Sequence, residues 1–210
     1  MYISRMRFNP RIAATRGIYG MHQDVWRLFA DSPDRKRDFI YRQDENAVLA
    51  VSERKPEDDS GSWVIETKDY SPIVNGGETF SFSLRVNPVV KSRKSGKWQK
   101  HDAIQHERKK RLAEGDDADR FFVAQEMVVS WLQKREEQLG LSVASNSVLI
   151  ENYLFNQRMH KPNGKQGIIS YVDVQGICTV TNVDAFKNTL FSGIGSAKAF
   201  GCGLLLVRRR

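Results

Sequence analysis

Apolar and polar residues alternate along several stretches of this chain, and each such stretch predicts a strand. Residues 2–8 set Tyr2, Arg5 and Arg7 among apolar neighbours, and Asn9-Pro10 ends the run. Residues 38–43 and 47–52 predict two more strands. Residues 78–87 alternate most cleanly, with Phe80, Phe82, Leu84 and Val86 on one side; this strand is expected to close the first half of the chain at Pro88. The period changes to a helical one over 21–30, where Met21, Val25, Leu28 and Phe29 share a face and Asp31-Ser-Pro33 supplies the stop. The strongest helix pattern covers 118–139, with Phe121, Met127, Val128, Trp131, Leu132 and Leu139 on one stripe. Residues 147–158 and 167–180 predict two long strands joined by a basic tip, in which Asn163-Gly164 is a turn signal. A short helix at 184–191 and a final apolar strand from Leu204 to Val207 complete the pattern. Residues 54–62 are a solvated loop, and 66–74 have room for only a short helix. The basic stretch 91–100 is expected to be a loop or linker, and the polar stretch 102–113 a short helix or mobile segment.

Each half thus holds a strand, a helix and further strands, which predicts an α+β chain of two tandem ferredoxin-like (βαββαβ, RRM-like) domains. The expected division is 1–90, a basic and variable segment at 91–117, and 118–210. Such sheets leave one face free, a common platform for RNA.

Composition sharpens this picture. Of 210 residues, 40% are hydrophobic and 28% charged, enough for real cores. No run reaches the about 18 apolar residues of a membrane span. The start lacks a signal-peptide core, so a cytoplasmic location with no membrane partner is expected. Cys178 and Cys202 form no CxxC pair, and the four histidines have no ligand spacing, so neither a metal site nor a cofactor is expected. The formal charge of +8 favours a polyanionic partner. Lys91, Arg93, Lys94, Lys97 and Lys100 cluster, as do Lys109, Lys110 and Arg111.

Two segments carry candidate chemistry. Gly193-Ile-Gly195-Ser-Ala-Lys198-Ala-Phe-Gly201-Cys-Gly203 precedes the final strand. It is neither a Walker A loop nor a dinucleotide fingerprint. Its glycines suit either close approach to a phosphate or a tight turn. Lys198 has two open roles: neutralising a phosphate, or anchoring the loop to backbone carbonyls. The second segment is Tyr19-Gly-Met-His22. Imidazole titrates near neutrality and suits proton transfer, while a histidine at a helix start also serves as a cap.

Four ordered segments resemble the CasE family of CRISPR-repeat endoribonucleases. They are Tyr19-Gly-Met-His22-Gln-Asp-Val-Trp26-Arg-Leu-Phe29, Arg37-Asp-Phe-Ile-Tyr41, Leu84-Arg85-Val-Asn87-Pro88 and the closing glycine loop. The resemblance implies a duplicated ferredoxin-like fold and metal-independent cleavage of the repeat hairpin in a CRISPR precursor RNA. Attack by the 2′-hydroxyl would leave 2′,3′-cyclic phosphate and 5′-hydroxyl ends, and the product would stay bound within Cascade. It places His22 as general acid or base and Tyr19 as the orienting group. Expected RNA contacts are Arg85, Lys91, Arg93 and Lys94, the hairpin residues Arg158, Lys161 and Lys165, and Gly193, Gly195, Lys198, Gly201 and Gly203. His101, His106 and His160 are read as solvated. The alternative is a non-catalytic subunit that holds an RNA hairpin with the same basic surfaces. A general RRM-type binder is disfavoured, because the RNP1 aromatic motif is absent.

Overall fold

Strand β1 (Tyr2–Phe8) lies inside the first sheet, antiparallel to β3 (Val48–Ser52) and to β4 (Trp63–Asp69), while β2 (Phe39–Gln43) pairs with β3. The resulting order, β2-β3-β1-β4, is that of a ferredoxin-like unit. Helix α1 (Ile18–Arg27) makes the crossover. Its Met21 and Val25, with Leu28 and Phe29 beyond its end, pack on Met6, Phe39, Tyr41, Val48 and Ala50. The computed structural model describes residues 1–8, 17–30, 32, 36–44, 47–94, 96–160 and 166–210, with backbone alone at Arg93, Lys94, Lys97 and His160. The stops at Asn9-Pro10 and at Asp31 and Pro33, and the Asn163-Gly164 turn with Lys161 and Lys165, lie outside the described residues.

Among the described residues the first unit has no second helix: residues 53–62 connect β3 directly to β4. The short helix expected within 66–74 is corrected to strand β4. Its alternation of exposed Val64, Glu66 and Lys68 with partly buried Trp63, Ile65 and Thr67 has a period of two, and Trp63 and Ile65 pack against the core under α1.

Strand β5 (Thr79–Val86) belongs to the second sheet, which corrects the expectation that it closes the first half. It pairs antiparallel with β10 (Gln166–Val180) from Val86↔Val172 to Thr79↔Thr179, and on its other side with β11 (Leu205–Arg209). The domain boundary therefore lies between β4 and β5 rather than near residue 90. The two-faced pattern of β5 is as expected. Phe80, Phe82, Leu84 and Val86 join Val123, Ala124, Val128 and Leu132 of α3 (Arg120–Gln133) and Phe186 and Leu190 of α5 (Val183–Ser192) in one core. Each such large side chain, once buried, contributes about 1.5–3 kcal/mol. Strands β8 (Leu141–Val143) and β9 (Leu149–His160) both pair with β10. The second unit thus repeats the order of the first, with β8 and β9 sharing one position.

The predicted helix 118–139 is two helices. Asp119 caps α3 by accepting from Phe121 N at 2.7 Å, and after a turn at Lys134-Arg135 the chain forms α4 (Glu136–Leu139). The expected basic linker is also corrected. Strands β6 (Val89–Lys94) and β7 (Lys97–Asp102) form an antiparallel hairpin, followed by α2 (Ala103–Ala113), all inserted between β5 and α3. Asp102 caps α2 by accepting from Gln105 N at 3.1 Å, and Ile104 is buried.

The two units share an interior. Ile40 and Val51 from the first sheet pack on Leu204, which leads into β11. Across the same seam Arg42 Nη1 donates to Ser83 Oγ at 2.6 Å, and Arg85 Nη1 donates to the Gln43 carbonyl at 3.0 Å. Cys178 and Cys202 are free and buried, and burial pushes both thiols up to about 12. Among the described residues no helix is long and apolar enough to cross a membrane.

Candidate active site

Helix α1 begins at Gly17, whose backbone is extended and which supplies no side-chain cap. Tyr19 and His22 follow, three residues apart and so on neighbouring positions of one face. Their ring centroids are 5.9 Å apart. The glycine loop comes to them from the second unit. Phe200 lies 5.1 Å from the His22 ring, centroid to centroid. Tyr19 and Ile18 pack with Ala197, Phe200 and Cys202 of the loop, and with Met159 of β9 and Ile169 of β10. Two segments far apart in sequence thus meet at one helix start, beside the part of the long β9–β10 hairpin where β9 ends and β10 begins.

The loop is held in place by side chains from both units. Buried Tyr41 of β2 donates its hydroxyl to the Ala199 carbonyl at 2.9 Å. Lys198 Nζ donates to the Ser192 and Gly193 carbonyls at 2.7 and 3.1 Å. Of its two open roles the structure shows the anchor: the ammonium caps the carbonyl end of α5. Burial lowers its pKa. All four loop glycines have positive φ. Gly201 and Gly203 are buried, Gly193 is partly buried, and only Gly195 is exposed. The requirement for glycine is strongest at Gly203. Its φ is +92°, and an added Cβ would stand 2.5 Å from the Ile194 carbonyl oxygen.

The His22 pKa lies below its ordinary value. Partial burial is the largest cause, and the positive charge of Arg37 adds to it; a hydrogen bond to the Ala199 carbonyl pushes back up. Burial and Arg37 both favour the neutral imidazole, the form that can accept a proton. Tyr19, His22, Gln23, Trp26, Arg27 and Arg37 line an open cleft of 370 Å³. The Arg37 guanidinium sits 5.8 Å from the Trp26 ring centroid and 5.9 Å from that of Phe39, and burial lowers its pKa. Sequence reasoning missed Arg37 as a site residue. It lies in one of the matched segments, but only the fold shows that the segment returns beside α1.

The other expected RNA contacts separate into distinct groups. Arg85 is committed internally: it makes a two-pronged ion pair with Asp173 at 2.7 and 3.0 Å, with side chains only 14% and 8% exposed, and stacks 4.3 Å from the Tyr171 ring centroid. Its backbone carbonyl accepts from Gly203 N at 2.8 Å, so this strand position supports the loop. Arg158 is exposed on β9, opposite Ile168. Lys91 is exposed on β6, while Arg93 and Lys94 are placed by backbone in the same strand. His101 and His106 lie 4.8 Å apart, ring to ring, outside the cleft, and Ser92 Oγ is 3.2 Å from His101 Nδ1. Among the described residues no group of three or more His, Cys, Asp or Glu converges as a metal site.

The chain resembles proteins of one functional group. It is 28% identical over 214 residues to the CRISPR system Cascade subunit CasE of Escherichia coli (strain K12), covering 98% of both chains. It is 23% identical over 230 residues to the CRISPR-associated endoribonuclease Cse3 of Thermus thermophilus, covering 99% of both. The structure of Thermus thermophilus Cse3 bound to an RNA representing a pre-cleavage complex superposes with a TM-score of 0.70 at 22% identity, covering 99% of this chain and 98% of that one. A sequence profile for the family described as "CRISPR associated protein" matches residues 1–209. The duplicated fold, the paired Tyr19 and His22 and this end-to-end match lead to one conclusion: the chain belongs to the CRISPR-associated protein family.

Proposed function

We propose that the chain is a metal-independent endoribonuclease that cuts the repeat hairpin of CRISPR precursor RNA and then holds the cleaved stem as a cytoplasmic Cascade subunit. The observation that carries this reading is the setting of His22: an imidazole in an open cleft, beside Tyr19 and with Arg37 on the same wall. His22 takes the proton from the 2′-hydroxyl. The 2′-oxygen attacks the adjacent phosphorus, the bond from phosphorus to the 5′-oxygen breaks, and that oxygen takes a proton from water as it leaves, while His22 returns its proton to solvent. The products are a 2′,3′-cyclic phosphate and a 5′-hydroxyl. Tyr19 orients the 2′-hydroxyl or the phosphate, and Arg37 stabilises the negative charge that grows on the phosphorane. Arg158 on the long hairpin with Lys161 and Lys165, which follow it in sequence, and Lys91 with Arg93 and Lys94 on the inserted hairpin, contact RNA phosphates. Lys198, Gly193, Gly201 and Gly203 shape the loop that backs His22, and exposed Gly195 offers its backbone to the RNA. Arg85 acts through the loop rather than on phosphate.

The test is a labelled repeat hairpin from the same genome in excess EDTA, alongside the same RNA with one 2′-deoxy residue before the cut. Cleavage of the first alone, lost in His22→Ala, supports the reading. Tight binding with neither RNA cut refutes it in favour of a hairpin-holding subunit, and a His22→Ala protein cutting at the wild-type rate removes the catalytic assignment.

A further inference from the structure

Trp98 stands on β7 with 71% of its surface exposed. Trp26, Trp63 and Trp131 each pack against an apolar core. Keeping so large an apolar surface in water is costly, at roughly 25 cal/mol for each Å² left unburied, so its position calls for a partner. Its surroundings indicate which. Lys100 follows two residues later on the same face of the strand. Lys91 stands directly opposite Lys100 across the ladder, and both are exposed. Like charges directly opposed on a hairpin destabilise it. An anionic ligand laid over that face removes the repulsion. Lys91, Trp98, Gln99 and Lys100 together line a shallow cleft of 380 Å³.

The two feet of this hairpin are hydrogen-bonded to the rest of the molecule, one of them to the glycine loop. At the first foot of the hairpin, Asn87 Nδ2 donates to the Ser170 carbonyl at 2.6 Å, and Ser196 Oγ of the glycine loop donates to Asn87 Oδ1 at 3.0 Å. At the second, buried Tyr153 donates its hydroxyl to Asp102 Oδ1 at 2.8 Å, and Ala103 N donates to the Pro88 carbonyl at 2.8 Å. The hairpin that carries Trp98 is thus fastened to the same loop that backs His22.

An exposed aromatic between lysines on a fixed strand is the arrangement that stacks an unpaired base while cations hold its phosphates. We propose that Trp98, with Lys91 and Lys100, is a stacking subsite for one unpaired nucleobase in a single-stranded segment flanking the RNA stem. The proposal rests on the reading of the chain as an RNA-processing protein and names a part of the RNA which that reading leaves unassigned.

The experiment compares wild type, Trp98→Ala, Trp98→Phe and a Lys91→Ala/Lys100→Ala double variant. Each is titrated by fluorescence anisotropy at fixed salt with two uncleavable 2′-deoxy RNAs: the repeat stem-loop alone, and the stem-loop with its single-stranded flanks. Trp98→Ala is expected to weaken binding of the flanked RNA by about 5- to 150-fold, the range for losing one stacked base. Binding of the bare stem-loop stays at the wild-type level, and Trp98→Phe recovers most of the loss. The lysine double variant lowers the salt dependence of flanked-RNA binding by roughly 0.7 in log–log slope for each phosphate released. Equal affinity of Trp98→Ala and wild type for the flanked RNA overturns the subsite, as does an equal loss on both RNAs. Those results with wild-type cleavage intact sink the subsite alone. A wild-type protein that binds neither RNA sinks both the subsite and the reading beneath it.

Discussion

Replacing Gly203 by alanine is expected to cost about 2–5 kcal/mol of stability, and the structure separates this into two parts. Holding a residue with a Cβ at φ of +92° costs roughly 1–2 kcal/mol. The new methyl would also stand 2.5 Å from the Ile194 carbonyl oxygen and 3.2 Å from Lys198 Cγ. Ile194 has little freedom to retreat, because its N–H donates to the Gly203 carbonyl at 2.8 Å and Gly203 N donates to Arg85. Overpacking of this kind costs about 1–3 kcal/mol. For a chain of this size the sum corresponds to a fall of roughly 4–20 °C in Tm. Gly195→Ala is the control. Its φ is +77°, yet the nearest atom to an added Cβ is Trp131 Cζ2 at 3.5 Å, so only the backbone part, about 1–2 kcal/mol, applies. Calorimetric melts of both variants give the steric part by difference. Single-turnover cleavage should fall further in Gly203→Ala, because moving the loop withdraws Ala199 and Phe200 from His22. If Gly203→Ala melts no lower than Gly195→Ala, the packing argument for this loop fails.

The remaining predictions concern charge and hydrogen bonding around the same site. Arg37→Ala removes a charge that lowers the His22 pKa, so that pKa rises and more imidazole is protonated at any acidic pH. The acidic limb of the cleavage profile should move to higher pH and Arg37→Lys should restore it; an unmoved limb in Arg37→Ala refutes the electrostatic role. Asp173→Asn strands the Arg85 charge in a mostly buried setting and is expected to cost about 3–5 kcal/mol in denaturant unfolding. An apolar replacement of both partners should cost less, and a single-variant loss under about 1 kcal/mol would show that Tyr171 and the Gln43 carbonyl suffice for Arg85. Tyr41→Phe deletes the bond to the Ala199 carbonyl, at about 1 kcal/mol. It should slow single-turnover cleavage more than it weakens RNA binding, and the opposite pattern would place Tyr41 in substrate recognition instead.

Periodicity revealed which side of β5 is buried, because Phe80, Phe82, Leu84 and Val86 alternate without a break. It carried nothing about which sheet receives the strand, since that depends on pairing with Val172–Thr179, some ninety residues later. The β6–β7 hairpin escaped notice because both its faces are largely polar, and a solvated strand leaves no hydrophobic stripe to read. That Tyr19 and His22 share one helix face was legible through their spacing. The fate of Arg85 was not, because Asp173 lies 88 positions away. Lys198 was read as having either of two roles, and only the path of the chain around Gly193 shows where its ammonium ends up. Arg37 went unassigned because its effect on His22 is a matter of distance through space, not of neighbouring residues.

The bond from Tyr41 to Ala199 spans 158 positions of the chain, and that separation has a consequence for the timing of activity. During synthesis at about 5–20 residues per second, roughly 8–30 s pass between the appearance of the two partners. Through that interval α1 already carries its histidine, but without the loop that partly buries the ring and supplies the Ala199 carbonyl. A nascent chain or a truncated product therefore bears His22 without the surroundings that the glycine loop provides. On the role proposed for His22, cleavage is expected only once the second half has closed over the first.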